Sequence, residues 1–240
     1  MKGARHKLGL AGSLLRPDGY TVAFGSNFAT TSAQAPSLIL PTTLAGAVVS
    51  ITDSKGLTMQ APLYYVSPGQ INFVVPEGLT PGSATLKIVD AAGSNGSFPI
   101  TLAAVSPALF TADASGTGAP AAIAYDYDND GATQAPPVFT CSTSPPLVCT
   151  PSPIDLGPAS INVFLALFGT GIRGRSSLSG VSVTLGGVPL QVYYAGAQNT
   201  YPGLDQVNVL LAHSLAGKGQ LVLQMTVDGV AANPVLVQIK

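Results

Sequence analysis

The sequence is poor in charge, and this scarcity limits the partners that it can bind. Only 9% of its 240 residues are charged, against roughly 25% in ordinary soluble domains. Ten Lys and Arg residues and eleven Asp and Glu residues leave a formal net charge of −1. Nucleic-acid binding depends on a basic surface, so we expect no nucleic-acid partner.

Residues that commonly carry out catalysis are also scarce. The histidines are His6 and His213, and no Gly-x-Ser-x-Gly motif is present to accompany His213. Glu77 is the single glutamate, so a glycosidase pair would need aspartates drawn from separate loops. Residues 169–174 fit the pattern G-x-G-x-x-G, but the sequence after them predicts a loop and a strand, whereas a dinucleotide site needs a helix there. We therefore predict that the protein is not an enzyme.

Long apolar runs are absent as well. No run approaches the 18 or more apolar residues of a membrane-spanning helix, so we expect no membrane span. The first 15 residues resemble the start of a secretory signal, but Arg16, Pro17 and Asp18 follow without a small-x-small cleavage site. No export signal is therefore evident, and we expect residues 1–16 to form a tail. A composition rich in Thr, Ser, Gly and Val nevertheless indicates an extracellular or cell-surface protein.

Turn residues and short β-branched runs are abundant. The chain contains 27 Gly and 20 Pro, and Gly186–Gly187 and Asp228–Gly229 are two-residue hairpin signals. No stretch shows the sustained apolar spacing of an amphipathic helix. Short strands between turn signals predict an all-β sandwich or barrel. The strand-like runs are 20–24, 47–51, 71–75, 84–89, 181–185 and 221–227.

Several blocks occur twice in the same order, which predicts two homologous sandwich modules of about 80–90 residues each. The spacing between matching blocks varies from 129 to 144 residues, so the loop lengths must differ between the copies. We expect module 1 over 17–106, an irregular connection over 107–158 and module 2 over 159–240. The matching blocks are 24–27 with 168–171, 44–51 with 178–185, 64–66 with 193–195, and 70–74 with 206–210.

Each copy contains a Gln-x-Asn element within a strand. Strand alternation places Gln70 and Asn72 on one face in the first copy, and Gln206 and Asn208 on one face in the second. Each amide can donate and accept hydrogen bonds, and can therefore tie the backbone of a neighbouring loop to the strand. Because the element occurs in both copies, we favour this structural role over a polar ligand-binding strip.

The connection contains the two cysteines of the chain, Cys141 and Cys149, which are separated by seven residues. A disulfide between two short strand-like arms is sterically plausible. Two buried free thiols are the alternative, but a chain of extracellular composition favours the disulfide. Two thiolates alone cannot complete the tetrahedral coordination of zinc.

The connection also contains a candidate calcium loop. Asp126, Asp128 and Asp130 stand at positions one, three and five of a calcium loop, and Gly131 follows at position six. Pro137 occupies position twelve, where such a loop needs a bidentate acid, so the ligand set is incomplete. A solvated turn is the alternative interpretation, because Asp, Asn and Gly favour turns.

Motifs over residues 17–240 closely resemble an uncharacterised C-terminal domain family that is abundant in acidobacterial secreted proteins. The resemblance implies two immunoglobulin-like (Ig-like) modules of the IPT/TIG type in tandem, and it implies no catalytic residues. The family usually follows repeats, adhesin-like domains or enzyme domains in large exported chains. The motifs are Phe24–Asn27, Leu44–Gly46, Tyr65–Asn72, Leu79–Gly82, Pro107–Thr111, Pro153–Gly157, Tyr194–Ala197 and Tyr201–Asn208.

Composition and resemblance together predict a non-enzymatic extracellular or cell-surface module for adhesion, spacing or assembly. We expect a protein or surface partner, or self-association. One alternative is an accessory, glycan-binding module of an exported enzyme. Another is a filament subunit whose terminal strand completes the sheet of its neighbour.

Overall fold

The computed structural model describes residues 9–10, 14–93, 95–128, 131–134 and 137–240. It divides the chain into two compact units. Unit 1 comprises Met1–Ser106 together with Asn199–Gly203, and unit 2 comprises Pro107–Gln198 and Leu204–Lys240. The described residues contain β-strands and two short 3-10 turns, with no α-helix, so the fold is all-β as predicted. No helix among them is long and apolar enough to cross a membrane.

Unit 1 consists of two sheets. The first has the order β1-β3-β9-β8-β4, and the second has the order β2-β11-β10-β6-β5 with β7 paired to β6. The strands are β1 (Gly9–Leu10), β2 (Leu14–Leu15), β3 (Tyr20–Phe24), β4 (Ala33–Gln34), β5 (Thr43–Leu44), β6 (Ala47–Thr52), β7 (Thr58–Gln60), β8 (Leu63–Val66), β9 (Gln70–Val74), β10 (Gly82–Val89) and β11 (Asn95–Leu102).

The core of unit 1 lies between these sheets. Strand alternation directs every second side chain inward, so Ile71 and Phe73 of the first sheet join Ile51 and Leu86 of the second in one apolar cluster. All four side chains have no exposed area. Burial of each stabilises the fold by roughly 1.5–3 kcal/mol.

Unit 2 contains a continuous sheet of order β14-β13-β18-β21-β20-β19-β22-β24-β17, with β12 paired to β18 and β23 paired to β22. A separate hairpin pairs β15 with β16. The strands are β12 (Ala108–Leu109), β13 (Ala122–Asp128), β14 (Gly131–Gln134), β15 (Phe139–Cys141), β16 (Cys149–Pro151), β17 (Pro153–Ile154), β18 (Asn162–Thr170), β19 (Val181–Leu185), β20 (Val188–Ala197), β21 (Asp205–Leu210), β22 (Gly219–Val227), β23 (Val230–Ala231) and β24 (Val235–Ile239).

The two units share an order of strand pairing. β3-β9-β8 in unit 1 matches β18-β21-β20 in unit 2, and β6-β10-β11 matches β19-β22-β24. In each unit a two-residue strand also pairs in parallel with the last strand, β2 with β11 and β17 with β24. The registers agree with the matched sequence blocks. Phe24 faces Gln70 and Phe168 faces Gln206, while Tyr65 faces Asn72 and Tyr194 faces Asn208.

The units differ in one stretch of strand, which is β20 in unit 2 and is divided into β7 and β8 in unit 1. In unit 2, β20 pairs with β19 at one end and with β21 at the other. In unit 1, Ala61 and Pro62 interrupt the corresponding stretch and separate β7 from β8. Ala61 donates its N–H to Val49 of one sheet, and the Pro62 carbonyl accepts from Val74 of the other. Pro62 has no N–H to donate, which suits a break in strand pairing.

Both predicted hairpin turns are present. Gly186 and Gly187 have φ angles of +57° and +82° between β19 and β20. Asp228 and Gly229 have φ angles of +47° and +80° between β22 and β23. Two consecutive positive φ angles are the requirement of a type I′ turn, which is why Gly-Gly and Asp-Gly predict it.

Residues 107–158 contribute more strand than their sequence indicates. The predicted disulfide joins Cys141 to Cys149 across the β15–β16 hairpin. The same region also supplies β13, which pairs with β18 over six positions, and β14, which pairs with β13. Alanine and aspartate have low strand propensity, so the sequence of β13 gave no clear strand pattern.

Candidate binding surface

Both units carry a Gln-x-Asn pair on the face of a strand opposite the core. On β9, Gln70 Nε2 donates to Asn72 Oδ1 at 2.6 Å. On β21, Gln206 Nε2 donates to Asn208 Oδ1 at 2.8 Å. The sequence predicts that these amides bond the backbone of a neighbouring loop. The bonds instead join side chains, because residues two apart stand beside each other on one face of a strand.

A pair of aromatic rings accompanies each amide pair. Tyr64 and Tyr193 occupy equivalent register shifts, between Leu63 and Tyr65 in β8 and between Val192 and Tyr194 in β20. The ring centroids of Tyr64 and Tyr20 are 5.6 Å apart, and those of Tyr193 and Phe164 are 5.0 Å apart. We call each cluster of four the aromatic–amide face. It comprises Tyr20, Tyr64, Gln70 and Asn72 in unit 1, and Phe164, Tyr193, Gln206 and Asn208 in unit 2.

The side chains of the aromatic–amide face of unit 1 form hydrogen bonds within the unit. Asn72 Nδ2 donates to the Tyr20 hydroxyl at 2.6 Å, which extends the amide pair by one hydrogen bond. Burial raises the pKa of Tyr20 above its ordinary value, and the bond from Asn72 offsets part of this rise. Burial also raises the pKa of Tyr64 to about 12, with the neighbouring Tyr20 and Tyr201 hydroxyls adding to the effect. Both hydroxyls therefore stay protonated at physiological pH.

The segment Asn199–Gly203 of unit 1 covers this face. The Tyr64 hydroxyl donates to the Pro202 carbonyl at 2.8 Å. Gly203 is buried, and a Cβ atom on it would lie 3.0 Å from the backbone N of Tyr20 and 3.2 Å from Val74 Cγ2. Gly203 also has a φ angle of +75°, which glycine adopts at little cost. A Tyr-Pro-Gly turn thus fits this face because its last residue has no side chain.

The aromatic–amide face of unit 2 borders a concave surface with a volume of about 620 Å³. Strand β13 adds Tyr125, and β18 adds Asn162 and Ala166 to the lining. Tyr193 is 50% exposed, so its ring is accessible from solvent. Among the residues whose side chains are described, the lining contains aromatic, amide and alanine side chains and no charged one. Such a surface suits an uncharged ligand that offers hydrogen-bonding groups together with apolar area.

The G-x-G-x-x-G stretch has a structural role in unit 2. Asp205 is fully buried and accepts from the backbone N–H of Ile172 at 2.7 Å and of Arg173 at 3.2 Å. The Arg173 side chain forms an ion pair with Asp205, in which Nε lies 2.5 Å from Oδ1. Its terminal nitrogen Nη2 also donates to the Leu204 carbonyl at 2.7 Å. A Cβ on Gly169 would lie 2.3 Å from the Ala108 carbonyl oxygen. These contacts fix the loop between two strands, and the described residues 171–185 that follow contain a 3-10 turn and a strand in place of a dinucleotide-binding helix.

The calcium candidate lies partly outside the described residues. Asp126 is on β13, where it pairs with Thr133 and Val163, and Asp128 pairs with Gly131. Residues 126–128 are therefore extended. Asp126 Oδ1 is buried without a hydrogen-bond partner in the described part of the chain. Asp130 and the side chain of Asp128 fall outside it.

Two other aspartates of unit 2, Asp113 and Asp155, have contacts of their own. Hydrogen bonds from Ser115 lower the pKa of Asp113, whose carboxylate also accepts from the backbone N–H of Cys149. The Lys240 ammonium, 2.7 Å from Asp155, lowers the pKa of that carboxyl. Within the described ranges, no group of three His, Cys, Asp or Glu residues is arranged to hold a metal ion. Calcium binding stays a prediction.

Sequence reasoning missed two aspartates that position loops. One is Asp205, and the other is Asp53, which accepts from the backbone N–H groups of Lys55, Leu57 and Thr80. These bonds, that from Thr80 foremost, lower the pKa of Asp53. The sequence signal that could have identified both residues is an aspartate at the end of a strand and close to a Gly-containing loop. His213 bonds the Ile161 carbonyl through Nε2 at 2.8 Å.

A scan against protein-family models and a search of curated proteins found no match to this chain. The resemblance drawn from its motifs therefore stays a prediction. The fold, the disulfide and the two aromatic–amide faces rest on the structure alone.

Proposed function

We propose that this chain is a non-catalytic, exported or cell-surface protein of two Ig-like modules that serves adhesion, spacing or assembly. The observation that carries the proposal is the recurrence of the aromatic–amide face. It stands at the same register, beside the same type of strand irregularity, in both units. In unit 1 a segment of the same unit covers this face, while in unit 2 Tyr193 is 50% exposed beside a concave surface; the accessible copy supports a binding or assembly role.

The Ig-like assignment rests on strand order. In unit 1 two sheets, antiparallel except for the short β2–β11 pairing, enclose one apolar cluster, which is the arrangement of a β-sandwich. The matching pairings in unit 2, including the short parallel strand at the corresponding edge, support duplication of one ancestral module. Sandwiches of this size carry function on loops and exposed sheet faces rather than on the core.

The disulfide supports an extracellular location. Cys141 and Cys149 are bonded, and the cytosol keeps most such pairs reduced. The hairpin that they close also exposes Leu147 and Val148, each to 54%. In unit 1, Ile39 is 89% exposed beside the half-exposed Leu38. Exposed apolar loop tips on a chain with little charge support contact with a protein or surface partner, or self-association.

Localisation and thiol trapping of the native protein test this proposal. Antibody labelling of intact source cells should stain their surface or the secreted fraction. Alkylation without prior reduction should leave Cys141 and Cys149 unmodified, and alkylation after reduction should label both. A protein confined to the cytosol with both thiols alkylated directly would contradict the proposal.

A further inference from the structure

The two aromatic–amide faces are equivalent in position but differ in what covers them. Tyr20 corresponds to Phe164, since they face Val74 and Leu210 at matching registers. Tyr64 and Tyr193 also correspond. In unit 1 the Asn199–Gly203 segment covers the face. The Pro202 carbonyl accepts a hydrogen bond from Tyr64, and Gly203, which has no side chain, packs closely on Tyr20. In unit 2 the corresponding face borders the 620 Å³ concave surface.

We propose that the aromatic–amide face of unit 2 binds an aromatic-Pro-Gly turn from another polypeptide, in the way that unit 1 holds Tyr201-Pro202-Gly203. This inference rests on the proposed binding role and names the class of partner. The Tyr193 hydroxyl donates to the carbonyl of the incoming proline, as Tyr64 does to Pro202. The glycine of the turn packs against Phe164, as Gly203 packs against Tyr20.

The two faces differ at one residue, Tyr20 in unit 1 and Phe164 in unit 2, and this difference favours an external ligand in unit 2. In unit 1, the Tyr20 hydroxyl accepts from Asn72 Nδ2. Phe164 has no hydroxyl, so Asn208 Nδ2 makes no counterpart of that bond among the described residues. Its N–H groups, together with the Asn162 amide, are positioned to bond backbone carbonyls of a bound peptide.

The lining also specifies the charge of the ligand. Its described side chains are aromatic, amide or alanine, so a neutral turn is bound there without the desolvation of an unpaired charge. We expect the affinity to depend little on salt concentration. A saccharide shares some of this chemistry, but the occupant of the equivalent face in unit 1 is a peptide, and this observation decides for a peptide.

A titration with a short peptide tests the inference. The probe is the blocked hexapeptide Asn-Thr-Tyr-Pro-Gly-Leu, the sequence of residues 199–204, added to the full chain in a calorimeter. The expected result is saturable binding of one peptide per chain. Replacing the peptide glycine with alanine should weaken binding at least tenfold, because its Cβ would clash as a Cβ on Gly203 would.

Variants of the full chain locate the peptide. Tyr193→Ala should reduce affinity at least tenfold, and Tyr193→Phe should reduce it several-fold through loss of the hydroxyl donor. Val222→Ala, at a residue 45% exposed and outside the lining, should leave affinity unchanged. Because Tyr193 is half-exposed, these variants should melt within a few degrees of the unsubstituted chain.

Several results would overturn the inference. They are the absence of peptide binding, equal affinity for the alanine-containing peptide, or equal affinity of Tyr193→Ala. Loss of binding on Tyr64→Ala but not on Tyr193→Ala would show that the peptide displaces the segment in unit 1. Binding of a neutral oligosaccharide in place of the peptide would also overturn it. A surface-located protein that fails all peptide tests would refute this inference and leave the proposed function standing.

Discussion

Substitution of Asp205 should destabilise unit 2 more than any surface change. Its carboxylate is fully buried, and it accepts from two backbone N–H groups and from the Arg173 side chain. The Asp205→Ala variant removes the carboxylate that pairs with the Arg173 side chain, which is only 16% exposed. It also removes the carboxylate acceptor to which the N–H groups of Ile172 and Arg173 donate.

The size of this effect follows from the cost of breaking a buried ion pair. Removal of one partner costs about 3–5 kcal/mol, since the remaining charge stays desolvated. With a urea m-value of roughly 2–3 kcal/mol per molar, the unfolding midpoint of unit 2 should fall by about 1–2 M. Asp205→Asn keeps one acceptor oxygen and loses the charge, so its cost should be smaller, about 1.5–3 kcal/mol.

The assay is urea unfolding of the full chain with hydrogen exchange read by mass spectrometry. Exchange should accelerate first in the peptide that contains Ile172 and Arg173, because their donors lose protection. Asp155→Ala is the matched control, since it removes an exposed aspartate paired with Lys240 and should change little. In a double-mutant cycle, Arg173→Ala should cost less in the Asp205→Ala background than alone. If Asp205→Ala is as mild as Asp155→Ala, the reasoning is wrong.

Three further perturbations have defined outcomes. Gly203→Ala should destabilise unit 1 by about 1–3 kcal/mol in chemical denaturation. The control is Gly217→Ala, at a residue with the same φ of +75° but no atom within 4 Å of the added Cβ, and its effect should be smaller. Equal effects would contradict the close packing of Gly203 on Tyr20. Tyr64, with its pKa raised to about 12, should make stability constant below pH 10 and falling from pH 10 towards 12. The absorbance titration of Tyr64→Phe should lose one late-ionising tyrosine, and an unchanged late phase would refute the assignment. Replacing both cysteines with serine should lower stability by about 2.5 kcal/mol at most, given a loop of this length, and a larger loss in thermal melts would mean that the hairpin packs more tightly than its exposed tip indicates.

Much of the fold could be predicted because its signals are local. The strands β3 and β19 begin and end at the predicted residues, and the Gly186–Gly187 and Asp228–Gly229 turns follow from φ requirements alone. The disulfide needed only the short spacing of Cys141 and Cys149 and an extracellular composition. Strands of the matched blocks pair at matching registers in the two units, and the duplication itself stays a prediction.

The remaining features depend on contacts distant in sequence. The pairing of β13 with β18 compensates for the low strand propensity of Ala122–Asp128, and no local pattern reveals that pairing. The sequence placed Gln206 and Asn208 on one face, but Tyr125 reaches the same surface only because β13 extends the sheet. The partner of Asn72 is a hydroxyl 52 residues away. Alternation along one strand cannot identify such a partner.

The central claim is that one aromatic–amide face is covered and its counterpart is open, and selective modification of tyrosine tests it most directly. Mild nitration of the native chain, followed by peptide mass spectrometry, reports the relative reaction rates of Tyr64 and Tyr193. We expect Tyr193 to react many times faster, because its ring is half-exposed and because a raised pKa keeps Tyr64 out of the reactive phenolate form. Equal rates, or faster modification of Tyr64, would contradict the account.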